Sequence, residues 1–156
     1  MDLSDTPGLQ PPALDRAQAV RCGDRWFAFA FGWARSAVES FDMSAAPNAP
    51  AWLVGAVNVA GRILPVVDLF AWTEPGRWQD AQDRQARLLV GGEGDAAIAV
   101  LFQGLPRLVA VRPTLAADPH ERLAPLVRGR AVEDVAIVAL DGPALVAALT
   151  EELALG

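Results

Sequence analysis

Few side chains in this 156-residue chain could carry out a reaction. His120 is the only histidine, and it lies in the charged run Asp118-Pro119-His120-Glu121-Arg122. An imidazole beside Asp118 or Glu121 could act as a general base in a small hydrolase. Such a base needs a nucleophile and an orienting carboxylate in one set, and no set of that kind is spelled out. An exposed surface histidine is the better reading. Cys22 is the only cysteine, which excludes an internal disulfide, and one Cys with one His does not make a structural zinc site. It reads as a small buried hydrophobe. The run Gly91-Gly92-Glu93-Gly94-Asp95 lacks the lysine and the strand-to-helix setting of a phosphate loop, so it reads as a turn. The other acidic residues are scattered, as on a solvated surface. The chain is therefore expected to be non-enzymatic and to need no cofactor or metal.

Composition points the same way. The 13 basic residues are all arginine, dispersed and outnumbered by 19 acidic ones, for a net charge of −6. A phosphate backbone calls for clustered positive charge, so nucleic acid is an unexpected partner. With 53% hydrophobic residues and 21% charged, a chain of this length buries about 68% of its unfolded surface, enough for a core without staples. Met43 to Gly61 carries no charge over 19 residues, close to the length of a membrane span. Pro47, Asn48, Pro50 and Asn58 interrupt it, which favours a buried core segment and no membrane insertion. The start, MDLSDTPGLQPP, has neither a basic nor an apolar leader region, and a cytoplasmic location is expected.

The elements that must position these residues can be read in order. Residues 1 to about 15, with four prolines and glycines, read as a flexible tail, and 16–156 as one domain. Ala17 to Cys22 and the strand holding Phe27, Phe29 and Phe31 flank a Gly23-Asp24 turn, and the period of two puts the three rings on one face. Trp33 to Phe41 is expected to form a short helix. Ile63 to Val67 is a β-branched strand whose Pro65 calls for an edge or a bulge, and Asp68 suits the N-cap of a helical turn through Trp72. Thr73 to Arg87 reads as an exposed connection. Ala86 to Val90 and Ala96 to Phe102 form a hairpin, followed by a separate strand Arg107 to Val111 and a loop from Pro113 to Pro125. Strands near Leu126 to Ala131 and Val135 to Leu140 precede a helix opening at Asp141-Gly142-Pro143, with Leu145, Leu149 and Leu153 on one face. Many short strands between turns favour a small β-barrel architecture. The order glycine, apolar strand, Asp, helix occurs twice, from Gly61 to Leu69 and from Gly129 past Asp141, which suggests two sub-barrels.

The densest pattern is Pro47 to Leu69: a P-x-x-P segment, Trp52, Gly55, Asn58 and Gly61, then Leu64-Pro65-Val66-Val67-Asp68-Leu69. It resembles the signature of the CheW-like family, adaptor domains of bacterial chemotaxis, which reads W-x-x-G-x-x-N-L-R-G followed by V-x-P-V-x-D-L. The resemblance spans residues 17 to 150, weaker outside this segment. It implies a mainly β fold of two five-stranded SH3-like barrels packed together, with short helices and a C-terminal helix. It also implies a non-enzymatic adaptor that binds the CheW-like regulatory domain of a chemotaxis histidine kinase and, separately, the cytoplasmic tip of chemoreceptors. The implied receptor-facing groove includes Val38 and the Asn58, Ala60, Gly61, Arg62 turn. Val59-Ala60 replaces the family's Leu-Arg pair, so Ala60 offers no guanidinium. In an extended strand Arg62 would face the same way as residue 60, about 7 Å along. A divergent assembly or localisation factor that binds a kinase but no receptor is thus the alternative. Among the tryptophans, Trp52 is expected in the core, while Trp72 and Trp78 read as barrel lids or partner anchors, Trp78 more so.

Overall fold

The computed structural model describes residues 15–114 and 118–155. The expected tail lies outside these residues except for Asp15, which opens the first strand. β1 (Asp15–Cys22) and β2 (Arg25–Ala30) form the expected hairpin. β10 (Ala136–Leu140) runs parallel to β2 and antiparallel to β9 (Val127–Val132). β9 meets the end of β8 (Ile98–Pro113) at Arg112 and Pro113, and β8 returns to β1. These pairings close a ring of five strands, the first barrel. Its interior holds Ala17, Ala19, Ala28, Val109, Val111, Ala131, Ile137 and Ala139.

The second barrel is built from the chain in between. Its strands run in the order β3 (Ala34–Val38), β7 (Ala86–Gly91), the first half of β8, β6 (Arg62–Val67), β5 (Leu53–Val59) and β4 (Met43–Ala45). β3 and β4 bound it as edges. Val57, Leu64, Val66, Leu88, Val90 and Leu101 fill it. Between the barrels lies the largest cluster, which includes Phe27, Phe29, Trp52, Trp72, Val100 and Phe102 and is covered by Leu145 and Leu149 of α2 (Gly142–Leu155). Burying each such side chain contributes about 1.5–3 kcal/mol.

The expected β architecture of two packed units is present, but the second unit is an open one of six strands, since β3 and β4 do not pair, and not a closed ring of five. Four local corrections follow. Trp33 to Phe41 is not helical: residues 34–38 pair with β7 as β3, a partner strand overriding a short helical period. The separate strand Arg107 to Val111 is the second half of β8, which runs on past Phe102 with a register shift against β1 between Ala19 and Arg21. Phe31 does not join Phe27 and Phe29 in the core. β2 ends at Ala30, and Phe31 is 48% exposed. The connection from Thr73 to Arg87 is not exposed throughout, because Gln79 is buried within it. Pro65 fits its expected place: β6 pairs with β8 only from Val66 onward, so the missing N–H falls where that edge has no partner.

Asp68 explains why Gln79 is buried. This carboxylate is fully buried at the N-cap of α1 (Leu69–Thr73). Its Oδ1 accepts from the backbone N–H of Phe70 (3.0 Å) and Ala71 (3.2 Å) and from Gln79 Nε2 (2.8 Å), and its Oδ2 accepts from the Gln79 N–H (2.7 Å). Gln79 Nε2 also donates to the Leu101 carbonyl, binding the connection to β8. The repeated sequence order has a structural counterpart. The Asp68 N–H donates to Trp52 O and the Asp141 N–H to Leu126 O, and Asp141 caps α2 by accepting from the Ala144 N–H.

Cys22 sits beside this knot and donates from Sγ to Leu101 O (3.5 Å). Burial, with the Asp68 carboxylate behind it, pushes the thiol well above its ordinary value of 9.0. A raised acid contributes stability that is complete below the unfolded pKa and is lost as pH rises beyond it, so alkaline pH should destabilise the fold. Cys22 should react with a maleimide no faster than the chain unfolds, and labelling at native pH followed by mass spectrometry checks this. Asp68→Ala removes the cap and orphans two Gln79 donors, and denaturant unfolding should show a loss of about 2–4 kcal/mol.

Candidate partner-binding site

The hairpin joining β5 to β6 is as short as a hairpin can be. Val59 pairs with Arg62, leaving Ala60 and Gly61 as its two loop residues. Both have positive φ, 52° at Ala60 and 84° at Gly61, the pattern of a type I′ turn that matches strand twist. Asn58 braces it by accepting the Gly61 N–H on Oδ1 at 2.9 Å. A Cβ on Gly61 would meet nothing within 4 Å, so glycine is required there by φ alone. The opposite holds at Gly55, where a Cβ would lie 2.3 Å from the Ser44 carbonyl of β4.

The signature residues therefore have individual structural tasks. Trp52 is buried and its carbonyl holds Asp68, Gly55 lets β4 approach, Asn58 and Gly61 make the turn, and Asp68 caps α1. The expected site residues are only partly brought together. Val38, at the end of β3, and Val59, beside the turn, both pack on the core of the second barrel, and Ile63 next to the turn is exposed. Arg62 does not follow residue 60 along an extended strand. Residue 60 is in a turn, not an extended strand, and Arg62 Nη2 donates to the Gly94 carbonyl at 2.8 Å across to the 3-10 turn Gly94–Ala96. Trp78 stands apart in the connection between α1 and β7, beside Phe70, Gly76 and Arg77. It is 70% exposed while its neighbour Gln79 is anchored by Asp68. Trp72, by contrast, is buried as a lid, with Nε1 donating to Glu152 and Arg122 stacked on its ring.

His120 is more than a surface residue. Its Nε2 lies 2.6 Å from the Thr73 carbonyl and its Nδ1 accepts the Arg122 N–H at 3.2 Å. Asp118 is buried, accepting the His120 N–H and pairing with Arg130 at 3.3 Å. Both ring nitrogens are engaged with backbone, which ties this loop to the end of α1. Proline-flanked loop sequence carries no signal for such a tie, since the partner lies 47 residues away. Among the described residues, no three His, Cys, Asp or Glu side chains group closely enough to hold a metal ion.

A family model described as CheW-like domain matches residues 16–150. Among solved structures, the chain is similar to the scaffolding protein TtCheW from Thermoanaerobacter tengcongensis. The identity is 14% and the TM-score 0.67, over 84% of this chain and 90% of that one. No curated protein matches the sequence.

The left-handed Ala60 is a local cost that the turn imposes on a residue with a Cβ. Ala60→Gly should stabilise the protein by up to about 1 kcal/mol, and Gly61→Ala should destabilise it by about as much. Urea unfolding of the three proteins measures both.

Proposed function

We propose that this chain, which belongs to the CheW-like domain family, is a non-enzymatic adaptor that couples chemoreceptors to a chemotaxis histidine kinase in the cytoplasm. The observation that carries the reading is the matched domain itself, whose signature residues build a rigid, exposed hairpin tip at Asn58 to Arg62 instead of a reactive group. A tip locked by a two-residue turn and a side-chain brace loses little entropy on docking, which favours binding. No helix among the described residues is long and apolar enough to cross a membrane.

On this reading two surfaces serve two partners. The Asn58 to Arg62 turn with Val38 faces the receptor tip. Trp78 is an aromatic anchor for the regulatory domain of the kinase, since a large ring held on a fixed loop is the usual centre of a binding hot spot. One observation favours a second reading, an assembly factor that binds the kinase and no receptor. Ala60 supplies no guanidinium, and Arg62 is committed to Gly94.

Titration of the purified protein against the kinase regulatory domain and against a receptor tip fragment separates the two. Binding to both supports the coupling adaptor, binding to the kinase alone supports the assembly factor, and binding to neither overturns the proposal. Trp78→Ala should weaken kinase binding by about 2 kcal/mol or more. Ala60→Arg should tighten receptor binding about tenfold if the turn faces the receptor, because one charge-assisted hydrogen bond is worth that much. Unchanged affinity would remove the turn from the receptor surface.

A further inference from the structure

The outer face of the first barrel gathers positive charge on a chain that is acidic as a whole. Ala17 of β1, Val109 and Val111 of β8 and Ala131 of β9 point into that barrel. Strand alternation therefore turns Arg16, Arg112, Arg128 and Arg130 outward, and strand pairing brings them together. Arg112 stands directly opposite Arg130. Arg16 is opposite Ala110, which puts it on the diagonal to Arg112, about 7–8 Å away. Arg128 lies two residues from Arg130 on the same face. Asp15, next to Arg16, is turned to the other face.

Two carboxylates reach this group. Asp118 holds Arg130 at 3.3 Å, and Asp141 holds Arg128 through Nε at 3.1 Å. Arg16 and Arg112 have no side-chain ion pair or hydrogen bond among the described residues. Four guanidiniums against two carboxylates leave a local surplus of positive charge, although the chain carries −6. Like charges directly across a strand pair destabilise it. Asp118 offsets only one member of the Arg112–Arg130 pair, so folding alone does not account for Arg112.

Beside the arginines the two strands part. β8 and β9 pair only at Arg112–Arg130 and Pro113–Gly129. Past those pairs lies a groove of about 540 Å³, with Ala110, Arg112, Arg130 and Val132 in its walls. Val132 is 83% exposed, and Leu108, the next outward residue of β8 after Ala110, is 60% exposed. A cationic end thus adjoins an apolar one.

We propose that this face docks a short acidic segment of a protein partner, in which carboxylates lead into apolar residues. The carboxylates meet Arg16 and Arg112, whose planar forks suit them. The apolar side chains lie against Ala110, Val132 and Leu108. Length selects this partner over larger polyanions. A short segment stays within about 8 Å, one Debye length, of the arginines and feels the local surplus. A nucleic acid or an anionic bilayer extends over the acidic remainder of the surface and is repelled by it. The surface is separate from the Asn58 to Arg62 turn, which belongs to the second barrel, and so provides a further point of contact.

The test is an amide NMR titration of the full chain with the acetylated peptide EDEDLVLV. Saturable shifts should concentrate at Arg16, Ala110, Arg112, Arg130 and Val132. Arg112→Glu should weaken binding about tenfold or more without lowering the urea midpoint, since it turns a like-charge pair into an opposite one. Val132→Ser should weaken binding several-fold with all four arginines in place. The peptide KRKRLVLV should not bind, and neither a thymidine oligonucleotide nor phosphatidylglycerol vesicles should displace EDEDLVLV. Absence of saturable shifts, equal binding by Arg112→Glu or by KRKRLVLV, or displacement by the oligonucleotide or the vesicles would each overturn the proposal.

Discussion

One strand holds this molecule together. The first half of β8 is hydrogen-bonded to β7 and β6 in the second barrel, and its second half to β1 and β9 in the first. Each barrel needs its own half of β8, so both are complete together only when β8 lies in both registers at once. Residues 98–103 are buried on both faces, one face filling the second barrel and the other the layer between barrels. That double burial replaces alternation with a continuous run, Ile98-Ala99-Val100-Leu101-Phe102, as expected of a strand with no solvent side.

Around β8 the polar groups that enter the core are few and bonded to one another, with Gln79 Oε1 left without a partner. Asp68 gathers four N–H donors, Gln79 passes one contact on to Leu101, and Cys22 donates to the same carbonyl. A buried carboxylate is tolerated only with such a complete set of donors. The same knot fixes the loop that displays Trp78, so a core constraint becomes a surface property. Likewise the turn at Ala60 is stiffened from within its own hairpin by Asn58. For an adaptor, whose output is the relative placement of its partners, stiffness of this kind is a functional requirement.

Much of this was legible because the relevant signals are local. The Asp68 cap, the Asn58–Gly61 turn, the buried Trp52 and Cys22, and the Leu145 and Leu149 face of the last helix each depend on neighbours a few residues away. The failures came from distant partners. Trp33 to Phe41 carries an ambiguous pattern that β7 resolves as a strand, and Gln79 is drawn inward by a carboxylate eleven positions earlier. His120 looked like surface because Thr73, which engages it, is remote in sequence. Arg62 looked available because the strand was read as extending through residue 60, where the chain in fact turns into left-handed conformation.

The second barrel is spliced into the sequence of the first. β2 lies beside β10, with Phe27 next to Val138, and every strand of the second barrel comes between them in the chain. A ribosome delivers roughly 5–20 residues per second, so the β1–β2 hairpin waits on the order of ten seconds for the strands that complete its barrel. During that interval the inner barrel already has its strands, while β2 keeps an open edge beside Phe27 and Phe29. The emerging chain thus carries one barrel ready to fold and one half-built, and its vulnerability to misassembly lies with the strands made first.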